Sequence, residues 1–295
     1  MRKRCAYLTM DSTDGWTIDA DLGFGSMQEL GWEVEAIPWR SATSNWNDYQ
    51  AVYVGVPWDY PRDPEKFLSL LESIDRSDAV LVNDLALIHW SLPKTYLRDL
   101  EARGADVVPS WWMDKVHLDT VADAFNHWHT ERIVVKPVVS TNATDTYLLT
   151  RAELMDKATE LTTVFVNRPH VVQPFIDSIV EEGEYSMFYF NNDFSHAIRK
   201  TPKRGDFRVQ EEYGAEIVAV QPQASLLEAA DRVMALVSPV PAYARADFVR
   251  ARDGRFLVME LELVEPSMYL RMDDDAPRRF AEAFDQYVKN ASGGQ

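Results

Sequence analysis

Met259-Glu260-Leu261-Glu262-Leu263-Val264-Glu265-Pro266-Ser267 is the stretch whose chemistry organises the rest of this chain. Strand alternation sends Glu260 and Glu262 to one face and Met259, Leu261 and Leu263 to the other. Just upstream, Tyr243–Arg250, the turn Asp253-Gly254 and Arg255–Glu262 read as a hairpin. Its first strand, Ala244-Arg245-Ala246-Asp247-Phe248-Val249, offers Asp247 as a third carboxylate beside the pair. Three carboxylates in one corner repel strongly unless a hard cation neutralises them, and an oxygen-only donor set suits Mg²⁺ or Mn²⁺. On an exposed strand face the same acids are only a solvated charge run.

The chain has 295 residues, 30 Lys+Arg against 47 Asp+Glu and a net charge of −17. Hydrophobic residues make up 46% and charged residues 26%, a globular composition that excludes a disordered or fibrous chain. Such acidity argues against a nucleic-acid or anionic-membrane surface. The longest apolar runs, such as Ala51–Trp58, fall far short of the roughly 18 residues a membrane span needs. Only Cys5–Met10 follows the basic start before Asp11, too little for a signal-peptide core, and a single cysteine makes no internal disulfide. A reducing cytoplasm is the expected location.

Strands and helices alternate through the first third: strand Cys5–Met10, helix Asp19–Leu30, strands Trp32–Trp39 and Ala51–Val56, helix Pro64–Ile74, strand Ala79–Val82. This order predicts a mostly parallel sheet covered by helices, ending near Asn83–Pro93. A helix Leu92–Arg103, an extended Asp106–Val108, a helix around Val116–His129, strands Arg132–Val139, Tyr147–Thr150 and His170–Ile176, and a helix Arg151–Leu161 make a small α+β unit. The last third holds the hairpins Glu184–Phe190/Phe194–Lys200 and Tyr243–Arg250/Arg255–Glu262, with helices Ser225–Val237 and Pro277–Lys289. The pattern is an α/β N-terminal domain followed by two α+β lobes.

Cations sit where an anion would be held. Lys136 ends the apolar strand Ile133-Val134-Val135, and Lys94 lies at a helix start. Arg199-Lys200 close a hairpin strand, and Arg208 lies in the polar segment Thr201–Glu212. Lysine supplies a point charge and arginine a bidentate fork for phosphate or carboxylate, although any one of them alone reads as a surface cation paired with an acid.

In order, Lys94, Lys136, Gln173-Pro174-Phe175-Ile176, Glu184, Arg199, Arg208, Asp247, Glu260-x-Glu262 and Pro266 resemble the ATP-grasp pattern, within its glutathione synthetase-like branch. The segments Gly205-Asp206-Phe207-Arg208-Val209-Gln210 and Met259–Leu270 are similar to those of D-cycloserine ligase-type ATP-grasp proteins. The resemblance covers roughly residues 85–290 and extends more weakly to Trp58-Asp59-Tyr60. It implies an N-terminal substrate domain over 1–90, a small ATP-grasp lobe over 91–176 and a C-terminal lobe with the metal site over 177–295. It also implies roles. Lys94 and Lys136 hold the α- and β-phosphates of ATP, and Gln173, Pro174, Phe175 and Ile176 form the adenine hinge. Glu184, in Glu181-Glu182-Gly183-Glu184, holds the ribose. Arg199 and Arg208, with Lys136, face the transferred phosphoryl group, and Asp247, Glu260 and Glu262 bind two Mg²⁺. The activity implied is an ADP-forming ligase that phosphorylates a small amino-acid-like substrate and lets an amine-type nucleophile displace phosphate, within one molecule or between two. Members of this branch commonly form dimers or tetramers.

Two departures stand out. The loop after Lys136, Val138-Val139-Ser140-Thr141-Asn142-Ala143-Thr144-Asp145, has no glycine where relatives fold a Gly-rich loop over the phosphates, and Glu262 stands where glutathione synthetase-like enzymes carry Asn. Trp58, Asp59 and Tyr60, after the strand Ala51–Val56, and Asp11, after the first strand, sit at carboxyl ends of strands, where α/β sheets meet their ligands. With Ser267 they are the substrate candidates, Asp11 suiting an ammonium. His127 and His129 lack a third zinc ligand nearby, Trp111-Trp112 reads as core or interface, and Cys5 as a buried small hydrophobe. A small-molecule kinase and a non-catalytic nucleotide-binding module are the rival readings; the complete acidic trio weighs against the second.

Overall fold

Ala51–Val56 is apolar at every position and buried at every position, as a strand covered on both faces must be. The computed structural model describes residues 2–41 and 45–293. Strands β1 (Lys3–Thr9), β2 (Trp32–Pro38), β3 (Ala51–Val56) and β4 (Val80–Val82) form a parallel sheet in the order β2-β1-β3-β4. Helices Ala20–Glu29 and Pro64–Asp75 make its crossovers, the second capped by Asp63, whose side chain accepts from Lys66 N, with Pro64 at its first turn. The last helix, Ala276–Gly293, returns to this sheet and buries Phe280 and Phe284 against Tyr53.

The second sheet is antiparallel, built from β5 (Trp111–Met113), β6 (Ile133–Pro137), β7 (Tyr147–Leu149) and β8 (His170–Pro174) in the order β5-β8-β6-β7. The third, also antiparallel, contains β9 (Glu184–Phe190), β10 (Asp193–Thr201), β11 (Glu216–Ala219), β12 (Tyr243–Arg250) and β13 (Phe256–Glu262), ordered β11-β10-β9-β12-β13. The β9–β10 turn puts Asn191 and Asn192 at φ 49° and 67°, the left-handed pair that Asn tolerates and a tight hairpin requires.

Several elements differ from the sequence pattern. Leu92–Arg103 is not one helix: Leu85–Ser91 and Tyr96–Ala102 are separated at Pro93, which has no N–H to continue the first, and Lys94 occupies the intervening turn. Arg151–Leu161 divides into Arg151–Asp156 and Ala158–Val164 at Lys157. Trp111-Trp112, read as core or interface, is half-buried in the edge strand β5, too short at three residues to show a period.

Asn83 ties the first sheet to the third. Its Nδ2 donates to the carbonyls of Tyr243 and Leu263, both at 2.9 Å, and its Oδ1 accepts from Ala242 N. The Tyr243 hydroxyl donates to the carbonyls of Val82 and Val264 at 2.9 and 3.0 Å. Buried polar groups satisfied in this way hold the end of β13 against the carboxyl edge of the parallel sheet.

Candidate active site

The register of the β12–β13 hairpin pairs Asp247 with Glu260 and Arg245 with Glu262, while β9 sets Ser186 against Asp247. Period-two alternation therefore puts Arg245, Asp247, Glu260 and Glu262 on one face. One oxygen each from Asp247, Glu260 and Glu262 lies within 4.8 Å of the others, close enough for one small cation to touch all three. The donors are hard oxygens only, so the group fits Mg²⁺ or Mn²⁺.

Above these acids lies a cavity of about 210 Å³ between the second and third sheets. One wall carries Lys136 on β6 and Gln173, Pro174, Phe175 and Ile176 at the end of β8. The other carries Glu184, Lys200, Arg245, Asp247 and Met259–Glu265. Its apolar end belongs to a cluster of Phe175, Ile179 and Val209 with Val134, Ile176, Phe207 and Met259 packed against it. The Gln173 amide donates to Ser110 Oγ at 2.9 Å, and the Arg132 guanidinium lies 4.3 Å over the Phe175 ring, so this end is fixed in place.

Four acids of the floor are matched to cations. Lys94 Nζ lies 2.8 Å from Glu260 and donates to the Ser140 carbonyl. Lys200 Nζ lies 2.5 Å from Glu184 and 3.5 Å from Asp247. Arg245 reaches Asp247 at 3.0 Å and also pairs with Glu262, and Ser186 Oγ donates to Asp247 at 2.5 Å.

The charges respond to this setting. Burial works against the Asp247 and Glu260 carboxylates, but Arg245 and Lys200 around the first, and Lys94 and Lys136 around the second, outweigh it and hold both below the ordinary range. Burial pushes Glu184 up despite Lys200, and pushes Glu262 up to about 7 and Glu265 to about 8. Lys94 is burdened by burial, yet Glu260 carries it above its usual value. Lys136 is lowered, first by burial and then by Lys94. Among the described residues, Lys136 has no carboxylate within 4.0 Å.

The glycine-free loop after Lys136 lines the cavity with Ser140, Thr141, Asn142, Ala143 and Thr146. Asn142, Ala143 and Asp145 take φ of 49°, 54° and 54°, conformations glycine adopts freely and other residues hold at about 1 kcal/mol or more each. Fixed turns offset that cost: Thr144 N and Thr146 N donate to the carbonyls of Thr141 and Ala143, Thr141 Oγ1 donates to the Trp58 carbonyl, and Asp145 pairs with Arg168. From the opposite lobe, Tyr213 donates to the Asn142 carbonyl at 3.2 Å. Arg208 lines the cavity, held by Asp206 at 2.7 Å and stacked 3.7 Å over the Tyr213 ring. Gln210 Oε1, on the same wall, has no hydrogen-bond partner among the described residues.

Three expectations need correction. Arg199 does not face the cavity: it pairs with Tyr185 across β9–β10, its buried Nε has no hydrogen-bond partner among the described residues, and it acts on Glu182 and Tyr185 on the far face. Lys200, one residue on, occupies the cavity instead, because successive strand residues point to opposite faces. Glu181 is exposed on the short helix Ser178–Glu181 and does not line the cavity, whereas Glu184 does. Asp59 accepts from Trp39 Nε1 and Arg40 Nε at 2.6 and 2.5 Å, which commits its carboxylate to the N-terminal domain. Asp11 and Asp59 line a neighbouring cavity, which shares Trp16, Trp58, Thr141 and Asn142 with the first. Trp58, Tyr60 and Ser267 line the first itself. Lys200, read in the sequence beside Arg199 as a cation placed for an anion, lines the cavity, while Arg245 and Glu265 are charged cavity residues that sequence reasoning did not single out; the i, i+2 spacing of Arg245 and Asp247 was the available signal for the first.

A family model for the N-terminal domain of D-cycloserine synthetase DcsG matches residues 5–83. The cycloserine biosynthesis protein DcsG of Streptomyces lavendulae is 29% identical over 275 residues, covering 88% of this chain and 90% of that protein. The crystal structure of D-cycloserine synthetase DcsG superposes with a TM-score of 0.87 at 25% identity, covering 97% of this chain and 99% of that one. The ATP-grasp ligase PsnB in complex with minimal precursor, Mg and ADP gives 0.64 at 14% identity, covering 97% and 98%. D-alanine–D-alanine ligase from Bacillus anthracis complexed with ATP gives 0.69 at 14%, covering 100% and 99%; these last two share the fold.

Proposed function

From the premise that this chain belongs to the ATP-grasp superfamily and is an ATP-grasp ligase of the D-cycloserine synthetase type, we propose that it activates a small amino-acid-like substrate by γ-phosphoryl transfer from ATP and then forms a C–N bond. The observation that carries this reading is the pairing of opposites on one cavity floor: a carboxylate trio fit for a divalent cation beside Lys136, a buried ammonium that among the described residues makes no ion pair within 4.0 Å. A triphosphate and its cation complete both.

The apolar slot of Phe175, Ile176, Val209 and Met259 takes the adenine, with Gln173 at its edge and Glu184 near the ribose. Lys94 and Lys136 grip phosphate oxygens, and Lys200 and Arg208 face the transferred group. Asp247, Glu260 and Glu262 hold Mg²⁺, with Mn²⁺ as the alternative; the ion supplies charge neutralisation on the phosphates. A substrate oxygen attacks the γ-phosphorus as the bond to ADP breaks, and a nitrogen then displaces phosphate from the activated carbon. The residues contribute by positioning and by opposing the developing charge, so no enzyme nucleophile is required. Ring closure within one molecule is the favoured form. Phe207, Arg208, Val209, Gln210 and Glu212 of the Thr201–Glu212 segment line the cavity, and closure of this segment over the intermediate would exclude water. No described helix is long and apolar enough to cross a membrane.

The test is ADP and phosphate release from Mg-ATP across D- and L-amino acids and ureido-amino acids, with mass spectrometry of the products. A new C–N bond supports the ligase; a stable phosphorylated product indicates the kinase. Glu260→Gln is expected to bind ADP and lose turnover, and Lys136→Ala to lose nucleotide binding. Wild-type activity in both variants would refute the assignment of this cavity.

A further inference from the structure

We infer that Glu265 receives the cationic nitrogen of the amino-acid-like substrate, in a subsite walled by Tyr60, Trp58 and Trp16 next to the metal trio. The inference deepens the ligase reading and rests on it. The carboxylates of the cavity floor are otherwise matched: Glu260 to Lys94, Glu184 to Lys200, Asp247 and Glu262 to Arg245. Glu212, at the rim, is exposed to water. Among the described residues, Glu265 makes no ion pair, and its side-chain partner is the Tyr60 hydroxyl. Lys94, the cation that acts on Glu265, is committed to Glu260 at 2.8 Å, so this half-buried carboxylate is left to take a proton or to meet a cation brought by the substrate. Burial, joined by the neighbouring Glu262 and opposed by Lys94 and the Tyr60 hydroxyl, pushes this carboxyl up to about 8, in keeping with a corner short of positive charge.

The cation is not a further metal ion, because the group of converging oxygens consists of Asp247, Glu260 and Glu262 without Glu265. The backbone at Glu265 is anchored. Trp58 Nε1 donates to its carbonyl at 2.8 Å, and the Trp58 carbonyl in turn accepts from Thr141 Oγ1 at 2.7 Å. Three segments, the β3 exit, the loop after β6 and the β13 exit, thus meet at this point. The Trp16 and Trp58 rings, 4.9 Å apart, give the subsite an aromatic wall, and indole faces attract cations.

Distance sets the size of the guest. Glu265 stands three residues beyond Glu262, at most about 10 Å of extended chain. A molecule whose ammonium meets Glu265 while its reacting group reaches the phosphoryl site is therefore a single small amino acid. Asp11, which the sequence suggested for the ammonium, lines only the neighbouring cavity.

Glu265→Gln and Glu265→Asp test this. The readouts are KM and kcat for ADP release with the amino compounds that the wild type turns over, the same constants for their des-amino counterparts, and Mg-ADP affinity by calorimetry. Glu265→Gln is expected to raise KM for the amino compounds roughly ten- to a hundredfold, the worth of a charge-assisted hydrogen bond, with kcat changed much less. Des-amino counterparts should be handled alike by wild type and variant, Mg-ADP affinity should stay within about twofold, and Glu265→Asp should recover part of the loss. An unchanged KM in Glu265→Gln, or an equal loss for amino and des-amino compounds, overturns the ammonium role while leaving the ligase reading intact. If the wild type releases ADP with no amino compound, the ligase reading fails first and this inference with it.

Discussion

Replacing Lys200 by methionine removes a positive charge from between Glu184 and Asp247, which lie 2.5 and 3.5 Å from its ammonium, and leaves an aliphatic chain in its place. The lysine side chain is 6% exposed and the two acids 9% and 3%, so water cannot take over the neutralisation. Breaking a buried pair from one side costs about 3–5 kcal/mol, most of it from the abandoned carboxylates. At about 2.1 cal/mol/K of unfolding entropy per residue, a chain of this length should lose about 5–8 °C in Tm. Asp247 keeps Arg245, so Glu184 suffers most and should protonate. A divalent cation among Asp247, Glu260 and Glu262 returns positive charge to the same corner, so Mg-ADP should stabilise Lys200→Met more than it stabilises the wild type. Calorimetric or fluorescence melts with and without 5–10 mM Mg-ADP, on the order of physiological nucleotide levels, measure both effects. A Tm loss below about 2 °C, or equal stabilisation of both proteins, would show that the charges of this floor are not interdependent, and the reasoning about the site would fall.

His196 is buried, stacked 4.3 Å from Phe188, and its Nε2 faces the Met268 carbonyl at 3.2 Å, with Asp273 and Arg279 as its charged neighbours. Burial lowers it to about 4, so between about pH 6.5 and pH 4 only the unfolded chain takes up this proton and stability falls as pH falls. Denaturant titrations should show about 2 kcal/mol less stability at pH 5 than at pH 7.5 from this residue, a difference that His196→Gln removes; an unchanged pH slope in that variant contradicts the assignment. Gly183 has φ +114°, and a Cβ there would meet the Lys200 carbonyl at 2.8 Å. Gly183→Ala should therefore cost about 1–3 kcal/mol and disturb the Glu184–Lys200 pair beside it; a melt at the wild-type temperature would refute this.

Elements whose signal lies within a few residues were legible in the chain. The buried run Ala51–Val56, the Asn191-Asn192 turn and the alternation in Phe256–Glu262 each express a local period or a local φ requirement, and each appears where the sequence puts it. The three-residue strand β5 and the break at Lys157 left no such trace, because an element shorter than one repeat carries no periodicity and helical spacing runs on through a single-residue kink. Among the site residues, alternation could group Glu260 with Glu262, but it could not decide whether Arg199 or Lys200 faced inward.

The chain alone determined its acidity, its three-part order of elements and which carboxylates share the face of one strand, since these depend on composition and on the fixed geometry of the backbone. Only the tertiary structure decided which charges neutralise one another. Lys94 reaches Glu260 across 166 positions and Lys200 reaches Asp247 across 47, distances at which sequence carries no information about approach. Among the described residues the same packing left Lys136 and Glu265 outside any ion pair, and the cost of a charge there is set by whatever the fold brings within a few ångströms of it.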